Sequence, residues 1–378
     1  MKTSYTRLAT AVVCLSFTPA LVQAKDWYDK VSIAGFSSAM FHLTDEALPF
    51  NGGPGAGHDD QGSFSGTKMG LNINAQINEK FTFASQFFGA KEEDAYAVHI
   101  DWAFGALKLS DSVTLRTGKL KYPVGLVNEY VDVGYALPWV NAPTSFYSEL
   151  GPAENGPSIT REGYTGISLL WTFDMADWEM ELDLFGGEIE LEDAGLRKLG
   201  GVSLVANMDD ELLLKLTYNT GTMENVVLEG ADPAGTPWEQ AKFNMMQIMG
   251  GKAHEVVTFG VKYDANDILF MYEWADVIMA DVRAMETHSW YTTLGYQMGS
   301  FLPNITYENF TQGDGSGAFD DDQDIITLGV RWDYITNVAI KFEVSQIKLN
   351  QGNGYFGYEF DPSSNTTNMF GTSLDLVF

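Results

Sequence analysis

Met69-Gly70-Leu71-Asn72-Ile73-Asn74-Ala75-Gln76-Ile77-Asn78 carries an apolar side chain at every odd position and Gly, Asn or Gln at every even one. Successive side chains of an extended strand point to opposite faces, so this stretch has one greasy side and one polar side. A helix needs a period of 3.6 and would scatter the two classes around its circumference. The same period of two returns along the chain. Tyr96, Val98, Ile100, Trp102 and Phe104 alternate with Ala97, His99, Asp101 and Ala103. Trp178, Met180, Leu182 and Leu184 alternate with Glu179, Glu181 and Asp183. Ile326 to Tyr334 and Val338 to Val344 repeat the pattern.

Read this way, the chain divides into sixteen candidate strands, the first near residues 30–42 and the last near 367–378. The one competing signal is a short helical turn around Glu239–Met249, inside a loop. The connectors alternate in length. Asn78-Glu79-Lys80, Ser110-Asp111, Asp209-Asp210, Ala265-Asn266 and Ile335-Thr336 are short and rich in turn-forming residues. Segments 43–65, 122–160, 222–253 and 350–366 are long. Tight turns at one rim and long loops at the other predict an all-β, antiparallel, up-and-down transmembrane barrel.

Composition supports this class. The 378 residues are 45% hydrophobic and include 24 Phe, 17 Tyr and 9 Trp. No stretch beyond the N-terminus offers the roughly 20 apolar residues of a spanning helix. Lys and Arg number 22 against 51 Asp and Glu, a net charge of −29, which excludes nucleic acid as a partner because a phosphate binder needs a basic face. Residues 1–24 read as a secretory signal: Lys2 and Arg7 precede an apolar run, and Val22-Gln23-Ala24 suits cleavage before Lys25. The single Cys, Cys14, falls inside that signal, so residues 25–378 form a barrel without thiol chemistry.

The apolar face holds Phe, Trp, Tyr, Leu, Ile and Val with almost no charge, whereas the polar face of a sixteen-strand sheet must line a wet lumen. An Arg or Lys on a lipid face costs about 2–4 kcal/mol at mid-bilayer. Aromatics cluster at strand ends. Phe104, Phe173, Trp178, Tyr263, Tyr296, Trp332 and Tyr334 flank the short turns, and Phe88, Tyr96, Tyr218, Trp274 and Trp290 flank the long loops. Both sets are expected to form interfacial girdles.

The chain ends Phe370-Gly371-Thr372-Ser373-Leu374-Asp375-Leu376-Val377-Phe378. This alternating strand with a terminal Phe resembles the C-terminal signature of bacterial outer-membrane barrels. Together with the meander, it makes the whole chain beyond the signal similar to the sixteen-stranded porins. Arg116-Thr117-Gly118-Lys119-Leu120-Lys121-Tyr122-Pro123-Val124-Gly125-Leu126 resembles the strand leading into the third loop of phosphate-selective-type porins. The resemblance implies a passive channel for small hydrophilic solutes and ions in the outer membrane of a Gram-negative bacterium, in contact with lipid and lipopolysaccharide. It implies a third loop, here 122–160, folded inward. It also implies a homotrimer, although the Lys91–Ala95 loop is too short for the usual latch onto a neighbouring subunit.

Parity assigns the lumen wall. Its acids are Asp101, Glu179, Glu181, Asp183, Glu273, Glu308, Asp333, Glu343 and Asp375, against Arg116, Lys215, Lys262, Arg331 and Lys341. A net negative wall favours cations. The Glu179/Glu181/Asp183 ladder is the sharpest feature. Glu129, Asp132, Glu149 and Glu154 of the third loop are expected to face Arg116, and with it Lys119 or Lys121, across the pore. Arg331 completes the set of candidate selectivity residues. No catalytic residue, cofactor or metal site is expected: His42, His58, His99, His254 and His288 have no recognisable serine partner, and the acids at 314–324 read as a solvated tip. A barrel serving as an adhesion or phage-receptor surface, or as an outer-membrane hydrolase, is the competing reading.

Overall fold

The computed structural model describes residues 30–47, 50, 60–92, 95–147, 163–190, 195–224, 231–315, 319–356 and 364–378. The segment 1–24 expected to be a signal, His58, Glu149 and Glu154 lie outside the described residues. Sixteen strands run β1 (Val31–Thr44), β2 (Lys68–Gln76), β3 (Phe81–Glu92), β4 (Ala95–Lys108), β5 (Val113–Lys121), β6 (Gly163–Met175), β7 (Trp178–Glu190) and β8 (Gly195–Met208). They continue with β9 (Leu212–Glu224), β10 (Ala253–Ala265), β11 (Ile268–Met279), β12 (Thr287–Tyr296), β13 (Phe301–Gln312), β14 (Asp321–Ile335), β15 (Val338–Gln351) and β16 (Thr366–Val377). Each pairs antiparallel with its neighbours in sequence, and β1 pairs with β16, so the sheet is a closed barrel. Two helices lie between strands: α1 (Thr144–Tyr147) and α2 (Pro237–Met249).

Turn chemistry explains the tight rim. Asn266 and Asp267 both adopt positive φ (54° and 63°) between β10 and β11. That is the two-residue hairpin whose twist matches the strands it joins. The expected helical turn near 239–249 is a full helix, α2. Thr236 caps it, with its hydroxyl accepting from the Glu239 amide while Glu239 reaches back to the Thr236 amide. This capping box and Pro237 in the first turn are local start signals that strand periodicity does not register.

The outward residues are strongly apolar and exposed, as in Val98 (70%) and Leu328 (60%). Aromatic rings pack against one another along this surface. Phe301 lies 5.6 Å from Trp332, Trp171 4.5 Å from Phe173, and Trp290 5.4 Å from Tyr307. An apolar surface this continuous is unstable in water and suits hydrocarbon.

The lipid-facing assignment fails at three aromatics. A β-bulge in β4 lets Gln86 pair with Trp102 and Phe87 with Ile100, leaving Asp101 as the extra residue. Parity therefore reverses beyond it, as a one-residue insertion requires. Trp102 and Phe104 face the lumen, and Gly105 and Leu107 face outward. Phe88 is inward too, beside His99 (5.5 Å) and the buried Phe36 (6.4 Å). Gly118 of β5 follows from the same bulge. Its φ is +136°, and a Cβ there would sit 2.3 Å from the Ala103 carbonyl oxygen.

The bulge can be checked with variants that retain a single tryptophan, reconstituted in bilayers. Trp290 emission is expected to be quenched by brominated acyl chains, and Trp102 emission is expected to be insensitive to them. Equal quenching of the two would show that β4 keeps one parity throughout.

Candidate functional site: the lumen wedge and the uncovered wall

Residues 122–147 turn from the end of β5 onto the polar face of the wall and pack there. The segment is rich in Val, Leu and aromatic side chains because it meets an apolar patch on that wall. Leu126, Val127, Val131, Leu137, Trp139, Phe146 and Tyr147 form one buried cluster with Leu269, Met271, Ala275, Tyr291 and Leu302. The result is a wedge with its own core, in contact with strands on one side of the barrel.

Charged wall groups fasten it. Glu273 of β11 is fully buried and accepts from the Tyr147 hydroxyl (2.5 Å), the Tyr291 hydroxyl (2.5 Å) and the Leu126 amide. Burial, then the adjoining Glu273, push the Tyr147 phenol well above its ordinary pKa, so it remains a donor. Glu308 of β13 accepts from the Ser145 amide (3.0 Å) and hydroxyl (3.1 Å), and Glu343 of β15 accepts from the Val140 amide (2.8 Å). Lys341 donates to the carbonyls of Gly134 and Trp139 (both 2.6 Å) and pairs with Asp375 (3.0 Å). Arg331 donates to the carbonyls of Tyr135 (2.5 Å) and Leu137 (2.9 Å) and pairs with Asp333 (2.8 Å). The Trp139 indole donates to Thr306 (2.9 Å) and Thr293 (3.1 Å). A loop buried this deeply needs partners for its backbone groups, and these ionic side chains supply them.

The expectation that all nine wall acids face water is therefore corrected. Glu273, Glu308, Glu343 and Asp375 are buried against the wedge. Asp101 is engaged by Lys121 (2.8 Å) and Gln86 (2.6 Å). Of the acids at 314–324, Asp314 is exposed, but Asp320 and Asp321 are not part of a solvated tip. Asp320 accepts from the amides of Asp314 and Gly315, and Asp321 from those of Asn353 and Gly354, so both are buried loop ties. Among the described residues, no group of three His, Cys, Asp or Glu is placed to hold a metal.

One tier of the ladder shows where the wedge stops. Register joins Glu181, Val205, Lys215, Gly260, Glu273, Tyr291 and Glu308 across β7 to β13. Gly260 marks the boundary, since a Cβ there would sit 2.6 Å from Leu126 Cγ. On the β11 to β16 side the inward groups are covered. On the β5 to β9 side Asp183 and Lys215 are buried as well, and Tyr122 and Pro123 of the wedge bond Asn219 and Thr217 of β9, while Arg116 and Glu129 stay partly exposed. Arg116 of β5 donates to Asp183 (2.7 Å) and Ser168 (2.8 Å), and Ser168 in turn donates to Asp183 (2.5 Å). Lys215 reaches Glu129 of the wedge at 3.5 Å. The side chains of Arg116 and Glu129 are 25% and 34% exposed. Glu179 and Glu181 precede Asp183 on the same inward face of β7.

The expected pairing of the wedge acids with Arg116 is replaced by other partners. Glu129 meets Lys215, and Asp132 meets Lys121 (3.0 Å). Lys119 falls on the outward parity and donates to the Ile100 carbonyl at the bulge (3.1 Å), so it does not join the lumen groups. Sequence reading missed Tyr291 and Ser145 as wedge contacts. The signal available was the isolation of Glu273 between the inward Met271 and Ala275, where a carboxylate needs nearby donors.

A closed sixteen-strand barrel with a segment of chain packed inside its wall is a porin-like fold. The chain superposes on Salmonella typhi OmpF in complex with daunomycin with a TM-score of 0.60 at 14% identity, covering 92% of this chain and 97% of that one. An anion-selective porin from Comamonas acidovorans gives a TM-score of 0.59 at 11% identity, with 92% and 99% covered. The loop L8 deletion mutant of OmpT, an outer membrane protein of Vibrio cholerae, gives 0.59 at 12% identity, with 93% and 100% covered. At such identities the likeness is one of fold. No family model matches the sequence, and no curated protein matches it.

Glu273→Ala removes the acceptor for two phenols and one amide. Each buried donor left without a partner costs about 1–3 kcal/mol. Limited proteolysis is expected to cut within 122–147 in this variant and to spare that segment in the parent, with the strand signal in circular dichroism unchanged. Equal protection would show that Glu273 does not hold the wedge.

Proposed function

We propose that the protein is a passive diffusion channel of the outer membrane for small hydrophilic solutes, with a preference for cations. The observation that carries this reading is that Arg116, Glu129, Glu179 and Glu181 stay at least partly exposed beside β5 to β9, while the wedge's apolar core packs against β11 to β13. Water and solutes pass along that uncovered arc, where Glu129, Glu179, Glu181 and Asp183 face Arg116 and Lys215. Acids outnumber bases there, so the local potential concentrates cations and disfavours anions. Glu129, Glu181, Asp183 and Arg116 are the selectivity residues in this proposal, whereas Lys121, Asp132 and Arg331 position the wedge.

The resemblance of residues 116–126 to phosphate-selective porins is not carried into the proposal. A phosphate path needs unneutralised bases, and here Arg116 meets Asp183 while Lys121 meets Asp101 and Asp132. Export through a cleaved signal at 1–24 and assembly as a homotrimer belong to the same reading. A trimer form of Vibrio cholerae OmpT is among the solved structures of this fold.

Planar-bilayer recording tests the proposal. Ohmic single-channel steps are expected, with a reversal potential of cation-preferring sign in a salt gradient. Neutralising Glu129 and Glu181 together (Glu129→Gln, Glu181→Gln) is expected to lower the cation-to-anion permeability ratio roughly twofold, and Arg116→Gln to raise it. A parent channel that prefers anions, or a ratio unmoved by these variants, would overturn the assignment of the arc.

A further inference from the structure

A second group of side chains, near the long-loop rim of β9 to β11, has no part in the path described above. His254 is an inward residue of β10 and only 3% exposed, and its Nδ1 has no hydrogen-bond partner among the described residues. Buried polar atoms are nearly always partnered, so an orphaned ring nitrogen calls for an explanation. The surroundings offer sulfur in place of oxygen. Register sets His254 opposite Met279 of β11, and antiparallel partners place their Cβ atoms about 4.5–5.5 Å apart. On its other side His254 pairs with Gly221, which contributes no side chain, and the next inward residue of β9 is the fully buried Met223.

The end of α2 closes over this spot. The Met249 carbonyl accepts from the Lys252 amide (3.1 Å) and the Met223 carbonyl from the Gly251 amide (2.8 Å), which ties the helix end, Met223 and the start of β10 together. Met223, Met245, Met249 and Met279 belong to one buried cluster. Methionine alone is adaptable packing. Methionines grouped around an unpartnered imidazole offer more, because thioether and neutral imidazole are soft, uncharged donors that select Cu(I)-type ions over hard cations.

We propose that His254, Met279, Met223 and Met249 form a binding site for a soft monovalent cation, Cu(I) or Ag(I), at the long-loop mouth of the barrel. The helix end and both strands that carry these side chains are already fastened to one another. It is independent of the channel reading: the barrel could conduct without the site, or bind the ion without conducting.

The test uses the whole protein in detergent with carbon-13-labelled methionine methyl groups, titrated with Ag(I), and a competition for Cu(I) against a chromophoric chelator. A single saturable equivalent is expected, with shifts in the methyl signals of Met223, Met249 and Met279. His254→Phe and Met279→Leu, the second a nearly volume-conserving change, are each expected to weaken binding roughly tenfold or more while circular dichroism reports an unchanged barrel. Shifts confined to other methionines would overturn the proposal. So would affinity unaffected by Met279→Leu, or no binding at stoichiometric metal.

Discussion

In a hydrocarbon layer the backbone has no water to bond, so every strand edge must meet another. Here the last open edges meet where Gly35 and Phe378 exchange two backbone hydrogen bonds, each of 2.9 Å. That closure makes the sheet a cylinder, and the cylinder divides the alternating side chains into a lipid face and a lumen face. Every later feature depends on which face a residue occupies. The bulge at Asp101 shows how sharply this acts, since a single extra residue moves Trp102 and Phe104 from hydrocarbon into the lumen.

Sixteen strands enclose more space than their own side chains can fill. The wedge of residues 122–147 occupies part of it with a core of its own, and so brings a run of backbone amides and carbonyls into a buried setting. Glu273, Glu308 and Glu343 accept from the amides, and Lys341 and Arg331 donate to the carbonyls. The division of labour along the wall is geometric. Charges under the wedge hold it in place, and beyond Gly260 the partly exposed Arg116 and Glu129 are the groups a solute would meet on the proposed path.

Much of the fold was legible because a period of two leaves a strong trace, and because Asn-Asp turns and a terminal Phe strand are local signals. The helix α2 was underestimated because strand periodicity is blind to a capping box. Parity fails wherever the ladder gains a residue, as at Asp101, and Phe88 was placed by its position near a loop although its own strand puts it inside. The site was legible only in outline. The resemblance to porins implied an inward third loop, and Glu179, Glu181 and Asp183 stood in line. Which wall acid meets which wedge group depends on how two distant stretches dock, and no spacing within one strand encodes that. Glu273 and Asp183 look alike in sequence. One is enclosed by two phenols and an amide, and the other shares a serine with Arg116.

The central claim is that the lumen is open along β5 to β9 and filled along β11 to β16. Cysteine accessibility during single-channel recording tests it directly, because Cys14, outside the described barrel, is the only cysteine in the chain. Val205→Cys on the uncovered tier is expected to react with a charged thiol reagent added to the open channel and to reduce the current in a single step. Thr306→Cys, beneath Trp139, is expected to leave the current unchanged. A step at position 306 with none at position 205 would contradict the account.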